Sequence, residues 1–333
     1  MVSLPALRGY VLEEQISALL GANGYRLLTA SDDEQCLRWT SSGLMLTGRG
    51  TDHQADALGE LDLPTPFGLP VRLFVEAKYR ESPVGLPAVR NAVGVLQDVN
   101  QRWSTGFGAR GVPLRHFQYQ YALFSTSGFT RDAQQFALAH QVSLIDLSGD
   151  AFASLRRVAD DAARRLLFPS PQNKVPLLAL REALRRELGS MPVPDIPSAF
   201  LESGDTEHLD RVARMVAANT SGELLFGFPR GALVLVMTPE DPEAVVRRLD
   251  RGEAELVVTM HHRAGQTANY WRLDAGDGFR LSFGLPPLIE EWLMSHEELT
   301  RKRTLQVKQH LLSSIAIYHR GRLVRLRYVS SRG

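Results

Sequence analysis

Asp56 and the triplet Glu76-Ala77-Lys78 are the residues whose types and spacing could do chemistry. The triplet directly follows the nearly continuous apolar run 71–75, which is typical of a buried strand. Side chains two residues apart on a strand leave the same face, so Glu76 and Lys78 share a face while Ala77 points into packing. If Asp56 lies on the neighbouring strand in matching register, the two carboxylates could hold Mg²⁺, which prefers oxygen ligands. The pattern predicts metal-assisted hydrolysis, with Lys78 positioning the attacking water or stabilising transition-state charge.

Other acidic residues extend this site or compete for it. Residues 9–20 have the spacing of an amphipathic helix, and Glu13 lies next to its apolar stripe. From there a carboxylate could reach the open edge of the sheet as a further metal ligand, with Glu14 as the competing candidate. Asp52 is a rival to Asp56, but it lies in the turn 50–52, where its side chain points less reliably at Glu76.

The elements that must position these residues alternate between strands and helices. Helices are predicted over 9–20, 88–99, 131–139 and 151–167. Strands are predicted over 25–28, over 36–46 and 53–61 on either side of the turn 47–50, and over 71–77, 119–125 and 142–147. This alternation predicts an α/β fold.

Two stretches rich in Pro and Ser, 169–176 and 191–197, mark a boundary. They divide the chain into a first domain over 1–168, a linker with a short helix near 177–188, and a second domain over 199–333. The second domain shows both helical and strand patterns, so we expect a mixed α/β fold there.

Composition and charge limit the classes of protein that the chain could form. It has 333 residues, of which 44% are apolar, and a single cysteine, Cys36, which fits a reducing compartment. No apolar run is long enough to span a bilayer, so we expect a cytoplasmic protein. The last 33 residues carry nine Lys and Arg and no Asp or Glu, which leaves 29 basic against 37 acidic residues before them. This basic C-terminal segment could follow phosphates or could be a solvated face.

The order of motifs resembles the PD-(D/E)XK nuclease superfamily, and within it the Mrr-like restriction endonucleases and the archaeal Holliday-junction resolvases. The resemblance covers roughly residues 8–150. It consists of a helix with Gly9-Tyr10 and Glu13, the turn Gly48-Arg49-Gly50, a strand with Asp56, and the strand that ends in Glu76-Ala77-Lys78. Ala55 stands where the proline that gives the superfamily its name would be, a position that the superfamily often varies.

The resemblance implies a restriction-endonuclease-like αβββαβ core and Mg²⁺-dependent hydrolysis of DNA phosphodiester bonds, with Mn²⁺ able to substitute. Asp56 and Glu76 would be metal ligands, Lys78 the catalytic lysine, and Glu13 an additional acid on the helix. We therefore expect a DNA endonuclease of restriction or genome defence, acting as a homodimer or with a defence-system partner protein and away from membranes. The alternatives are a catalytically inactive DNA-binding or scaffold protein of the same fold and a junction resolvase-like repair nuclease.

Four further polar residues are weaker candidates for contact with DNA phosphates or water: Arg49, Arg80, Arg90 and Gln97. Arg49 lies in a glycine-flanked turn from which it could approach a phosphate closely. Gln97 faces roughly the same way as Arg90 on the helix after the Glu76 strand. For each of the four, a place on an ordinary exposed surface explains the residue equally well.

Overall fold

The computed structural model describes residues 2–40, 43–61, 68–102, 116–167, 175–190, 206–220, 224–229, 234–263, 270–294 and 312–329. The first part of the chain is built on a five-stranded sheet with the strand order β1-β5-β6-β7-β8. Its strands are β1 (Tyr25–Leu27), β5 (Ala57–Leu61), β6 (Val71–Lys78), β7 (Gln118–Ser125) and β8 (Ser143–Asp146). β6, β7 and β8 are parallel, whereas β5 runs antiparallel to both β1 and β6. The predicted α/β fold is confirmed.

Helices cover both faces of this sheet: α1 (Leu4–Ala22) and α4 (Ala153–Leu167) on one face, α2 (Leu86–Asn100) and α3 (Arg131–His140) on the other. The alternation of side chains along β6 explains how the faces are filled. Val75 and Ala77 pack with α1, whereas Phe74 packs with α2. A strand covered on both faces must be apolar almost throughout, as the sequence of β6 is.

Two of the predicted strands are wrong in their limits. The run 36–46 is a hairpin of β2 (Leu37–Thr40) and β3 (Gly43–Thr47), which pairs with β4 (Asp52–Gln54) in a separate three-stranded sheet. Gly43 has a φ of 123°, which favours glycine and lets the chain turn back. The run 53–61 is also interrupted, because Ala55 N–H donates to Leu44 O while Asp56 N–H donates to Val75 O. The chain changes sheets at this point.

Two more helices extend the layer formed by α1 and α4. They are α5 (Leu177–Leu188), the predicted short helix, and α6 (Thr206–Asn219). Leu180 and Leu184 of α5 are fully buried against apolar residues of α1, α4 and α6, including Val11 of α1. Burial of these leucines binds α5 to the core through the hydrophobic effect, at roughly 1.5–3 kcal/mol for each side chain.

The last part of the described chain closes into a seven-stranded barrel with the order β10-β13-β12-β11-β15-β14-β9, where β9 also pairs with β10. Its elements are β9 (Leu225–Phe228), β10 (Leu235–Pro239), α7 (Pro242–Leu249), β11 (Glu255–Arg263), β12 (Tyr270–Asp274), β13 (Arg280–Phe283), α8 (Pro287–Met294), β14 (Ser314–His319) and β15 (Arg322–Tyr328). Val324 and Leu326 point into the barrel, whereas Arg325 and Arg327 are exposed. The expected mixture of helices and strands is present, but the strands form a closed barrel.

The barrel packs directly on the core. Asn23, after α1, donates to Leu224 O at 3.0 Å and accepts from Phe226 N–H at 2.6 Å. The ring of Phe226 lies 6.3 Å from that of Phe124 on β7. Within the described residues, none of the helices combines the length and apolar character that a membrane crossing requires.

Candidate active site

The carboxyl end of β6 carries the polar part of the triplet. Glu76 and Lys78 leave the face opposite to Ala77, which is buried against α1, as strand alternation predicts. Lys78 Nζ forms an ion pair with Glu76 Oε1. The central strand therefore presents a carboxylate and an ammonium group side by side.

Asp56 lies beside this pair, although it is not inside a strand. It stands one residue before β5, and its Oδ2 accepts a hydrogen bond from Ala77 N–H at 2.8 Å. The pKa of Asp56 is raised to about 6, mainly by burial and also by the Glu76 carboxylate, against the lowering effects of Ala77 N–H and Lys78. The expectation of a strand position was wrong, but the bond to Ala77 brings Asp56 next to Glu76.

Tyr121 on β7 is a contact of the site that the sequence did not point out. Its hydroxyl donates to Glu76 Oε2 at 2.5 Å, and its ring stacks on Phe74 with the centroids 4.9 Å apart. Burial and the Glu76 carboxylate raise the pKa of Tyr121, which keeps the hydroxyl a donor. The sequence offered one indication of this role: a tyrosine in a buried strand usually needs a hydrogen-bond partner for its hydroxyl.

Glu13 on α1 is close enough to Asp56 for the two carboxylates to influence each other. The pKa of Glu13 is raised to about 8, first by burial and then by the Asp56 carboxylate, against the lowering effect of Arg181. Glu13 Oε2 forms an ion pair with Arg181 Nη2. Its competitor Glu14 is held between Arg181 Nε at 2.7 Å and Arg185 Nε at 2.9 Å. Both oxygens of Glu14 thus lie at ion-pair distance from α5, whereas Glu13 also lies within electrostatic reach of Asp56.

Arg181 and Arg185 are the functional candidates that sequence reasoning missed. They lie on α5, and with Asp56, Ala55 and Ala57 they line one small cleft. Two arginines four residues apart on a helix share a face, but such a face is usually solvated. Their acidic partners lie 168 and 171 residues earlier in the chain, so spacing alone could not reveal them.

The structure holds the rival carboxylate Asp52 elsewhere. It lies on β4, where it forms an ion pair with Arg38. A hydrogen bond with the side chain of Thr47, with Arg38 nearby, keeps the pKa of Asp52 below its usual range. These contacts are with β2 and β3 rather than with Glu76.

The four weaker candidates, Arg49, Arg80, Arg90 and Gln97, are all exposed. Arg49 Nη1 donates to Gln101, directly after α2, at 3.4 Å, and Arg90 lies 5.9 Å from the Phe136 ring on α3. Arg80 lies two residues beyond Lys78, and its N–H donates to Thr126 Oγ1 at 2.9 Å. The side chains of Arg49 and Arg90 thus contact residues of α2 and α3 or their ends. Of the four candidates, Arg80 is the one nearest to Lys78 in sequence.

The basic C-terminal segment is partly described. Arg320 Nη1 donates to Asp250 at 2.9 Å and Arg327 Nε to Glu255 at 2.6 Å, so these two cations have acidic partners within the barrel. Five of its nine basic residues lie outside the described residues: Arg301, Lys302, Arg303, Lys308 and Arg332.

Asp56 and Glu76 form a donor set that fits a divalent cation. Within the described ranges, no group of three or more His, Cys, Asp and Glu side chains is arranged to hold a metal ion. Two carboxylates are nevertheless enough for Mg²⁺, which commonly binds one or two of them and completes its shell with water and phosphate. Burial disfavours two adjacent negative charges, and a cation between them would relieve this cost.

Comparison with known proteins agrees with this architecture. No curated protein matches the chain. A crystal structure described as a protein of unknown function, AF1548, is 20% identical and aligns over 63% of this chain and 95% of its own, with a TM-score of 0.33, too low to support an argument. Residues 4–155, which contain Glu13, Asp56, Glu76 and Lys78, match the Mrr family model, described as a restriction endonuclease. Residues 4–155 are therefore a restriction endonuclease domain of the Mrr type, which is consistent with the expected Mrr-like PD-(D/E)XK nuclease.

Proposed function

We propose that the protein is a metal-dependent DNA endonuclease that hydrolyses phosphodiester bonds in restriction or genome defence. The observation that carries the proposal is the hydrogen bond from Ala77 N–H to Asp56 Oδ2. It joins the Asp56 carboxylate to the strand that bears Glu76 and Lys78, which gives one site two carboxylates and a cation. Carboxylates that bind a cation, next to a lysine, suit the hydrolysis of a phosphodiester.

Each residue has a role in this proposal. Asp56 and Glu76 would hold Mg²⁺ or Mn²⁺, with Glu13 as a further acid on the side of α1. The bound cation would supply positive charge that polarises the phosphoryl group. Tyr121 holds one oxygen of Glu76 by its hydrogen bond and so limits how the carboxylate can rotate. Lys78 would donate hydrogen bonds to the attacking water or to the phosphate oxygens, whose negative charge grows in the transition state.

The remaining parts of the chain would decide where the cut falls. We propose the same division as above, with a nuclease domain over 1–168, a linker over 169–198 and an accessory domain over 199–333. The accessory domain would bind nucleic acid or a defence-system partner protein. Arg49, Arg80, Arg90 and Gln97 remain candidates for DNA contact. A double-strand break from one active site in each subunit requires a homodimer or two successive nicks.

A second candidate function is a DNA-binding platform that keeps the fold without cutting. It is favoured by the absence, among the described residues, of a three-carboxylate cluster, and by the ion pair that engages Lys78 with Glu76. Such a platform would bind DNA equally well with and without a divalent cation.

Cleavage assays separate the two candidates. Supercoiled plasmid, linear duplex and single-stranded DNA are incubated with the full chain in Mg²⁺, Mn²⁺ or EDTA. Metal-dependent cutting that is lost in Glu76→Ala and Lys78→Ala, by a factor of at least about 10², would support the nuclease. Asp56→Asn and Asp52→Asn form a matched pair, since both remove one charge and only Asp56 lies beside Glu76. Salt-sensitive DNA binding without cutting, shared by all variants, would instead support the platform.

A further inference from the structure

Two buried arginines fasten α5 to the acidic residues of α1. The side chain of Arg181 is 3% exposed, and it forms ion pairs with both Glu13 and Glu14. Arg185 lies one turn further along α5 and pairs with Glu14 from the other side. Since a buried charge without a partner is very costly, these contacts hold α5 and α1 in one relative position.

The two arginines differ in what else they contact. The Arg181 guanidinium carbon lies 5.0 Å from the centroid of the Tyr10 ring, whereas that of Arg185 lies 5.5 Å from the Trp39 ring on β2. Both pair with Glu14, and Arg181 also forms an ion pair with Glu13. Arg181, which lines one cleft together with Asp56, therefore connects α5 to Glu13.

α5 begins at Leu177, beyond the segment 4–155 that matches the Mrr family. We propose that Arg181 is a positioning residue of the nuclease site, which holds the Glu13 carboxylate beside Asp56; this inference rests on the function proposed above. The functional unit then includes α5, although this helix lies in the proposed linker 169–198, because α5 supplies the cation that balances the acids of α1. A guanidinium group suits the task since its rigid fork of donors can hold Glu13 and Glu14 at once.

The test compares Arg181→Met with Arg185→Met in the full chain. Both variants remove one buried ion pair with Glu14, so both should lose stability, and Arg181→Met also removes the ion pair between Arg181 and Glu13. Mn²⁺ is titrated into the DNA-free proteins and its binding is followed by calorimetry. Removing groups that orient metal-binding carboxylates weakens metal binding by about 10–100-fold, and we expect this loss in Arg181→Met relative to Arg185→Met. Equal Mn²⁺ affinities in the two variants would overturn the proposal.

Arg181→Lys keeps the positive charge, so it tests the same role if Arg181→Met does not fold. A lysine ammonium is a point charge without the planar fork, so it cannot reproduce both contacts in the same geometry. We expect Arg181→Lys to bind Mn²⁺ more weakly than the wild type and more tightly than Arg181→Met. Wild-type affinity in Arg181→Lys would contradict the positioning role.

A double-mutant cycle asks whether Arg181 acts through Glu13. Cleavage rates at saturating DNA are measured for Glu13→Gln, Arg181→Met and the double variant. If Arg181 works by holding Glu13, the double variant is no slower than the slower single variant. Losses that multiply would overturn the proposal. If the wild type binds Mn²⁺ but does not cut DNA, the proposed function is refuted, and the Mn²⁺ comparison alone tests the positioning role of Arg181. If the wild type does not bind Mn²⁺, both proposals are refuted.

Discussion

Replacing Asp56 by Asn should stabilise the metal-free protein while it abolishes DNA cleavage. The side chain of Asn has nearly the same shape, and its Oδ1 can accept the same hydrogen bond from Ala77 N–H. The substitution removes one of two adjacent negative charges that burial disfavours. In the proposed site a cation would balance both charges, so removal of one carboxylate should stabilise the metal-free fold at the cost of activity.

The magnitude follows from the pKa of Asp56, which burial and Glu76 raise from 3.8 to about 6. Each unit corresponds to about 1.4 kcal/mol, so the ionised carboxylate destabilises the fold by up to about 3 kcal/mol at pH 8. The amide must also be buried, which offsets part of the gain, and we expect a net stabilisation of about 1–2 kcal/mol. Because the folded-state pKa is raised, the penalty is complete above pH 6 and disappears below pH 4, where Asp56 is protonated in both states.

Urea unfolding in EDTA at pH 8 and pH 4.5 measures this difference. Asp56→Asn should be more stable than the wild type at pH 8, and the advantage should shrink at pH 4.5. Asp52→Asn is the matched control: it removes a partly exposed carboxylate whose pKa is lowered, and it should not stabilise the protein at pH 8. The electrostatic reasoning would be refuted if Asp56→Asn were less stable than the wild type at pH 8. It would also be refuted if the difference in unfolding free energy between variant and wild type were the same at pH 8 and pH 4.5.

Two further predictions concern the scaffold. Arg72 is fully buried, and its Nε donates to Oε2 of the partly buried Glu60 at 2.8 Å. Arg72→Met removes this partner and should lower the free energy of unfolding by about 3–5 kcal/mol. Arg26→Met, which removes a half-exposed partner of the same Glu60, should cost less than about 1 kcal/mol in urea titrations. Gly24→Ala should lower the melting temperature, since its Cβ would lie 1.8 Å from the Tyr318 ring and its φ is +87°. Tyr318→Ala in the same chain should recover part of that loss, and no recovery would contradict the steric argument.

Much of the core fold could be predicted because its signals are local. The apolar run of β6 and the amphipathic pattern of α2 show themselves within one window of sequence. The structure corrected the strands between 36 and 61, where a periodic pattern continues across two points at which the chain turns or changes sheets. Periodicity shows which residues are apolar but not which strands pair with each other. For the same reason the barrel could not be predicted from the sequence.

The site was predicted to the extent that its residues share an element. Glu76 and Lys78 follow from strand alternation alone. The partners of these residues come from elsewhere in the chain: Tyr121 from the next parallel strand and Arg181 from α5. No spacing rule links Arg181 to Glu13, because the contact exists only once α5 has packed on α1.

The amino-acid pattern alone is sufficient to assign the α/β class of the core, most of the order of its elements, and the strand that carries the carboxylate and the lysine. These properties depend on the covalent neighbours of each residue and on the period of its secondary structure. Tertiary packing decided that Ala77 N–H binds Asp56 next to Glu76 and that the arginines of α5 pair with the acidic residues of α1. It also decided that the final strands close into a barrel. Such contacts depend on distances between residues far apart in sequence, which burial of the shared apolar faces sets when the chain folds.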